Sequence, residues 1–353
     1  MVKRVGLVSS GTGGHLWPAL VLGDALRAGG YDTVFLTAGR AVESELLSRA
    51  GQRAQSLEMG GRGVGQLVAM ARGTMKARRW LATEDVDAVV CTGGRTSVAA
   101  GLAARSLRLP IAILEQNAVP GRANRLLSRL ARRVYLGLPT IADVPHSLVT
   151  GTPIRKDFSL VDRQVARQRL GLRDDLPVVL VTGGSQGASF LNEAAPRALL
   201  EQRCPMQILH LSGPRDEADV RARYRDGVDH GVDAVVRALA FDMPTLYAAA
   251  DLVICRGGGC TVSELIATGR AALIVPYPHH RDQQQLHNAR VLARAGAAVV
   301  LQQHELTGPR FTEVLQQLLR SPERLRLMEE CARSLDLGDA CDRIVHDLEQ
   351  TVL

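Results

Sequence analysis

The sequence predicts an α/β fold of two doubly wound, Rossmann-like domains facing a central cleft, and three observations carry that prediction. A glycine-rich turn occurs twice, as Gly11-Thr12-Gly13-Gly14-His15 and as Gly183-Gly184-Ser185-Gln186-Gly187-Ala188. Each turn follows a short apolar run, Arg4 to Val8 and Pro177 to Val181, and precedes a helix-like stretch, which is the strand-turn-helix unit of nucleotide-binding domains. The chain has 353 residues, enough for two domains that each bury a core.

The elements follow in order. Arg4 to Val8, Thr33 to Leu36, Ala88 to Cys91, Ile111 to Leu114 and Val134 to Leu136 read as strands of the first half. Pro177 to Thr182, Met206 to Leu211, Ala234 to Val236, Leu252 to Cys255 and Ala271 to Val275 repeat the pattern in the second. Runs apolar on both faces and separated by amphipathic segments predict parallel sheets covered on two sides. The domain change falls in the polar stretch from Gly151 to Asp175, which divides the chain into 1–155 and 156–353. Glu323 to Leu353 reads as one or two amphipathic helices, the last of them packing back on the first domain.

Composition narrows the function classes. Hydrophobic residues make up 46% and charged residues 22%, as in a globular enzyme, while an aromatic content of 3% argues against a nucleic-acid reader that stacks bases. The net charge of +7 suits an anionic partner without choosing among nucleotide phosphates, RNA and an acidic membrane surface. The six cysteines lack a C-x-x-C pair, so neither zinc nor a disulfide framework is predicted and a reducing cytoplasm fits. Ser9, Ser10 and Gly11 interrupt the first apolar run, which excludes a signal peptide there, and no run reaches the roughly 18 residues of a bilayer span. Work at a membrane would be at its surface.

The first turn offers backbone N–H groups at a helix start, where the helix dipole favours negative charge. It matches neither G-x-G-x-x-G nor a P-loop. His15 directly after the glycines is a candidate general base, although a tight turn closed by a histidine is the plainer alternative. The second turn repeats the geometry with Ser185 and Gln186 as added donors.

A third segment, Cys255-Arg256-Gly257-Gly258-Gly259-Cys260-Thr261-Val262-Ser263-Glu264, runs from a strand into a helix. Its glycine-rich start suits a diphosphate, and Glu264 has two acceptor oxygens for the paired hydroxyls of a ribose. Alternatively Thr261 or Ser263 caps the helix and Glu264 faces its dipole. Gln284 and Gln285 both donate and accept, as a reader of sugar hydroxyls must. The adjacent His279-His280 pair lacks further ligands at a spacing that would complete a metal shell.

Taken together and in order, GTGGH, Glu115 to Ala131 (EQNAVPGRANRLLSRLA), Thr152 to Arg155 (TPIR), GGSQGA, CRGGGCTVSE and the Gln284-Gln285 pair before His287-Asn288-Ala289 resemble the MurG family. The resemblance spans about residues 3 to 300. It implies a GT-B glycosyltransferase, inverting, free of metal and cofactor, that joins N-acetylglucosamine from UDP-GlcNAc to the 4-hydroxyl of the muramoyl sugar of lipid I, giving lipid II for peptidoglycan. It implies a peripheral enzyme on the cytoplasmic face of the bacterial plasma membrane.

Carried onto matching positions, the donor site comprises Thr12, Gly13, Gly14, Asn117, Arg155, Ser185, the run Gly259, Cys260, Thr261, Val262, Ser263, Glu264, and Gln284 with Gln285. Ala240 falls where the family makes a backbone contact to uracil, and His15 matches the family's loop histidine on the acceptor side. Three departures touch the acceptor side and the third glycine segment: Arg95 stands where an aromatic is usual, Leu114 where histidine is common, and Gly257-Gly258-Gly259-Cys260 replaces a less glycine-rich stretch. Val64 to Met70, followed by Arg72, Lys76, Arg78, Arg79 and Trp80, predicts an apolar patch fringed with cations that docks on anionic headgroups. The competing readings are another UDP-sugar transferase with a lipid acceptor, a UDP-sugar epimerase of the same fold, and an idle UDP-sugar-binding module.

Overall fold

The computed structural model describes residues 2–10, 13–59, 64–184, 186–225 and 231–353. Two compact units emerge, one formed by the chain up to Ile154 together with Leu337–Leu353, the other by Arg155–Asp336. The first carries seven strands: β1 (Arg4–Val8), β2 (Asp32–Thr37), β3 (Ala54–Ser56), β4 (Ala88–Cys91), β5 (Ile111–Glu115), β6 (Arg133–Leu136) and β7 (Ser147–Val149). The second carries six: β8 (Val178–Thr182), β9 (Met206–Leu211), β10 (Val232–Arg237), β11 (Leu252–Cys255), β12 (Ala272–Ile274) and β13 (Ala298–Val300).

The sheet orders are β3-β2-β1-β4-β5-β6-β7 and β10-β9-β8-β11-β12-β13, and every pairing is parallel. Both begin at their centre and reverse there, the doubly wound order whose switch point opens a ligand crevice at the carboxyl ends of the strands. In register, Val5 lies between Thr33 and Ala88, and Val179 between Ile208 and Leu252.

The strands β1, β4, β5, β8, β9 and β11 are apolar on both faces because helices cover both. In the first sheet Ala88, Val90, Ala112 and Leu114 pack toward the helix Gly13–Ala28 through Leu16, Leu20 and Leu26. Val89, Cys91, Ile111 and Ile113 pack the other way, toward Ala77 and Leu81 of the helix Val64–Thr83 and Ala100 and Ala103 of the helix Gly94–Ser106.

β3, β7 and β13 have no counterpart among the strands expected from the sequence, and all three lie at sheet edges. β3 and β7 are three residues long and largely exposed, with no apolar run to reveal them, whereas β13 lies within the apolar run Ala297 to Leu301 and packs Val299 on the core.

The C-terminal stretch forms two helices, Pro322–Arg333 and Ala340–Thr351. The second inserts Ile344, Leu348 and Val352 into the core of the first unit. Arg133 donates from Nε to Asp347 Oδ2 at 2.7 Å and Tyr135 donates its hydroxyl to the same oxygen at 2.9 Å. The Arg133 hydrogen bond holds the Asp347 carboxyl below the usual carboxylate range.

Candidate functional site

In the first unit the expected site residues gather at the carboxyl ends of β1, β4 and β5. Thr12 lies outside the described residues; Gly13 and Gly14 open the helix Gly13–Ala28, and His15 stands in its first turn, half-buried. Its Nδ1 is 3.2 Å from Oε1 of Gln116, which is 2% exposed. Gly93 lies against the same ring with φ of +122°, and a Cβ there would come within 3.1 Å of His15 Cε1. Only glycine accepts both that conformation and that approach.

Glu115 ends β5 almost wholly buried, and its carboxylate is saturated. Oε1 accepts from the backbone and side-chain nitrogens of Asn117, each at 2.9 Å, while Oε2 accepts from the Gly121 backbone and Asn124 Nδ2, also at 2.9 Å. Asn117, expected at the donor, therefore uses its amide nitrogen to shape its own loop. Arg95 is exposed in the first turn of the helix Gly94–Ser106, and Leu114 is fully buried in the core.

In the second unit Ser185 lies outside the described residues, and the rest of its turn is set by close backbone approach. Gly187 has φ of +72°, and a Cβ there would meet Ser212 O at 2.2 Å. Asn192 donates to that same carbonyl at 2.7 Å and accepts from His210 Nε2 at 3.1 Å. His210 Nδ1 therefore accepts from the Tyr224 hydroxyl, and burial pushes this histidine down to about 3, so it is neutral scaffolding.

The helix Gly259–Thr268 begins at Gly258, a cap residue with no side chain of its own to offer the first turn. The alternative in which Thr261 or Ser263 is the N-terminal cap is overturned, since Gly258 holds that position and both residues lie inside the helix, where Ser263 Oγ donates back to Gly259 O at 3.0 Å. Gly259, Val262 and Ser263 are buried, leaving Cys260, Thr261 and Glu264 half-exposed on this turn.

Glu264 Oε2 accepts from the Tyr247 hydroxyl at 3.0 Å, and Oε1 has no partner among the described residues. Removal from water pushes the carboxyl up to about 7, against the pull of the Tyr247 hydrogen bond and of the Arg155 guanidinium. Arg155 lies over the Phe158 ring at 5.6 Å, Phe158 packs on Tyr247 at 5.8 Å, and Arg155 Nη2 donates to Phe241 O at 3.3 Å. Ala240 immediately precedes that residue, half-buried in the loop after β10.

Gln284 opens the helix Gln284–Arg294. Gln285 beside it accepts through Oε1 from the backbone nitrogens of Gly257 at 3.2 Å and Tyr277 at 2.9 Å, which turns its Nε2 away from both loops. Asn288 fixes the other side of Gly257, donating to its carbonyl at 3.0 Å. A cavity of about 380 Å³ in this unit, lined by Phe190, Tyr277, Gln303 and His304 among others, contains none of the expected donor residues.

On the helix Val64–Thr83, Leu67 and Val68 are exposed, as are Met75, Arg72, Lys76, Arg78 and Arg79. Trp80 corrects the expected patch, since it packs against the core cluster of Leu57, Ala77 and Leu81. Among the described residues no helix is long and apolar enough to cross a membrane, and no group of three His, Cys, Asp or Glu side chains is placed to hold a metal ion.

Three neighbours of the expected residues carry no role in the sequence reading. Gln116 and Arg256 lie within quoted motifs and Tyr247 lies in none, and Arg256 donates to Val275 O at 3.0 Å and to Gln303 Oε1 at 2.8 Å beneath the Tyr277 loop.

Comparison with known proteins places this architecture. Residues 5–136 match the glycosyltransferase family 28 N-terminal domain and residues 178–344 match its C-terminal domain, so the chain carries both halves of a family 28 glycosyltransferase. A relative from Ectopseudomonas mendocina (strain ymp), named UDP-N-acetylglucosamine--N-acetylmuramyl-(pentapeptide) pyrophosphoryl-undecaprenol N-acetylglucosamine transferase, is 38% identical over 100% of this chain and 99% of its own. The crystal structure of Acinetobacter baumannii MurG superposes with a TM-score of 0.81 at 32% identity, covering 99% of both chains. The chain belongs to the MurG family, and its two Rossmann-like domains are of the GT-B class expected from sequence. A UDP-GlcNAc 2-epimerase from Neisseria meningitidis has a TM-score of 0.70 at 16% identity, over 99% of this chain and 100% of that one, which is a likeness of fold alone.

Proposed function

We propose that this protein transfers N-acetylglucosamine from UDP-GlcNAc to the 4-hydroxyl of the muramoyl sugar of undecaprenyl-pyrophosphoryl-MurNAc-pentapeptide, converting lipid I to lipid II. The observation that carries this reading is 38% identity to a transferase of that name over the whole chain. The epimerase alternative rests on fold likeness only and has no comparable support.

In this reading the second unit holds the donor. The glycine-rich start of the helix Gly259–Thr268 turns its dipole to the diphosphate, where negative charge grows as UDP departs. Glu264 accepts the ribose hydroxyls through its open Oε1, and the Nε2 of Gln285 with Gln284 addresses the sugar. Arg155, Ser185, Ala240, Thr12, Gly13, Gly14 and Asn117 complete the proposed donor contacts. In the first unit His15 takes the proton of the attacking hydroxyl. The acceptor oxygen bonds to C1 as the bond from C1 to the diphosphate oxygen breaks, so the anomeric centre inverts in one displacement.

We place the enzyme at the cytoplasmic face of the plasma membrane, docked by Leu67, Val68 and Met75 with Arg72, Lys76, Arg78 and Arg79 around them. Reversing the charges of Arg78 and Arg79 should release the protein from vesicles containing anionic lipid, as should high salt. Binding unchanged by both would remove the docking assignment.

Incubation with UDP-GlcNAc and a lipid I analogue tests the whole reading. Transfer to the analogue with release of UDP is expected. Isomerised UDP-sugar, or binding without turnover, would each overturn it.

A further inference from the structure

The imidazole of His15 meets a hydrogen-bonding group that can only accept. The atom 3.2 Å from Nδ1 is the amide oxygen of Gln116, so the hydrogen of that bond must sit on Nδ1. A neutral imidazole carries one N–H, and Nε2 is then left with its lone pair. Among the described residues nothing bonds to that Nε2.

The amide is held where it is by what surrounds it. Its residue follows Glu115, whose four N–H bonds lock the loop from Asn117 to Gly121. Behind it, a Cβ on Gly137 would come within 3.2 Å of the Gln116 Cα, so that glycine lets β6 close against the loop. The Gly137 nitrogen donates to Glu115 O at 2.7 Å. The Gln116 side chain is 2% exposed, and its Nε2 is buried without a partner among the described residues. Rotating the amide by half a turn would aim a donor at Nδ1 and transfer the histidine hydrogen to Nε2. The two settings of this one amide therefore correspond to the two tautomers of His15.

We infer that Gln116 is a positioning residue that fixes His15 as the Nδ1–H tautomer and so leaves Nε2 to receive the acceptor proton. The inference rests on the reading of His15 as the base. When the acceptor hydroxyl gives its proton to Nε2, the ring becomes an imidazolium with hydrogens on both nitrogens. The Nδ1–H bond to the amide oxygen then becomes charge-assisted and stronger, which favours the state formed as the hydroxyl is deprotonated. Gln116 itself neither gains nor loses a proton.

The test uses the full-length protein labelled with 15N in its histidines, with the His15 signal identified by its loss in His15→Ala. Long-range 1H–15N spectra should show His15 protonated at Nδ1 in the unsubstituted protein. Gln116→Met, which has no acceptor oxygen, should move the ring toward Nε2–H and lower kcat by about 10-fold or more, part of the general-base effect. Gln116→Glu keeps an oxygen facing Nδ1 and should retain both the tautomer and kcat to within a few-fold. An Nε2–H signal in the unsubstituted protein would overturn the inference, as would an unaltered tautomer in Gln116→Met or equal losses of kcat in the two variants. The first and last of these do not depend on the same variant folding well. Failure of the base reading looks different: His15→Ala would keep full turnover while the tautomer still followed residue 116.

Discussion

Two glutamates, one in each unit, occupy similar places at the carboxyl side of a parallel sheet and do opposite things. Glu115 accepts four N–H bonds, all at 2.9 Å, and both its oxygens are fully occupied by the loop that follows it. Among the described residues Glu264 accepts one bond, from the Tyr247 hydroxyl, and its Oε1 has no partner. A carboxylate saturated by its own chain can only build structure. One removed from water and left unsatisfied is poised for a ligand, which is why its carboxyl is pushed up to about 7. The same contrast runs beyond the two side chains: the first unit locks a loop beside a histidine, and the second keeps a carboxylate oxygen available beside a helix start.

The largest expected effect tests whether turnover resides in the first unit. His15→Ala should lower kcat by about 10²- to 10⁴-fold, the range of general acid-base catalysis, with the KM for UDP-GlcNAc little changed. Steady-state kinetics with a lipid I analogue decides, and a variant that loses donor affinity instead would reverse the division of labour.

Next in size is a stability contrast between the glutamates. Glu115→Gln replaces an oxygen that accepts two N–H bonds with an NH₂ group facing those same donors, and should destabilise the protein by about 3 kcal/mol given the penalty for breaking buried bonds to a charged group. Glu264→Gln should not destabilise it at pH 8, since it removes a charge held in a place that disfavours charge. Urea denaturation of both variants measures the difference, and equal losses would abolish the distinction drawn above.

How far this was legible in the sequence follows from the same physics. Central strands announced themselves because burial on both faces demands unbroken apolar runs, and β1, β4, β9 and β11 have the predicted bounds. The edge strands β3 and β7 face water and left no such mark, while β13 is an apolar run of only three strand residues, too short to tell from the end of a helix. His15 and Glu264 stood out because a titratable group beside a glycine-rich helix start is unusual. Gln116 did not, because its importance lies in a contact with a residue 101 positions away that no local pattern encodes. Trp80 misled, since an aromatic beside a basic run has the composition of a membrane anchor whether its ring faces water or the core.

Smaller effects concern binding by the second unit. Glu264→Gln should raise the KM for UDP-GlcNAc by about 10-fold, equivalent to about one hydrogen bond to a charged acceptor, with kcat less affected. Binding of UDP followed by calorimetry gives the same quantity without turnover. A loss of kcat alone would place Glu264 in the chemistry and erase the asymmetry between the units.

The smallest effect follows from the proton on Glu264. With its carboxyl raised from 4.5 to about 7, the group is largely protonated below neutrality in the folded protein, and a protonated carboxyl has lost acceptor capacity for the ribose. The KM for UDP-GlcNAc should therefore rise as pH falls through about 7, and this limb should vanish in Glu264→Gln. Stability runs the other way. The folded state holds this proton more tightly than the unfolded chain, so the contribution is fully present below 4.5 and is lost as pH rises through about 7. The stability of Glu264→Gln relative to the unsubstituted protein should accordingly rise across that window. Tyr247→Phe removes the hydrogen bond that pulls the carboxyl down, so it should move the KM limb a few tenths of a unit to higher pH while changing KM at pH 8.5 by no more than about 3-fold, as expected for one neutral donor. A limb that stays in place in Tyr247→Phe would mean that burial alone sets the proton affinity of Glu264, and the second unit would then hold its carboxylate by exclusion of water without help from a partner.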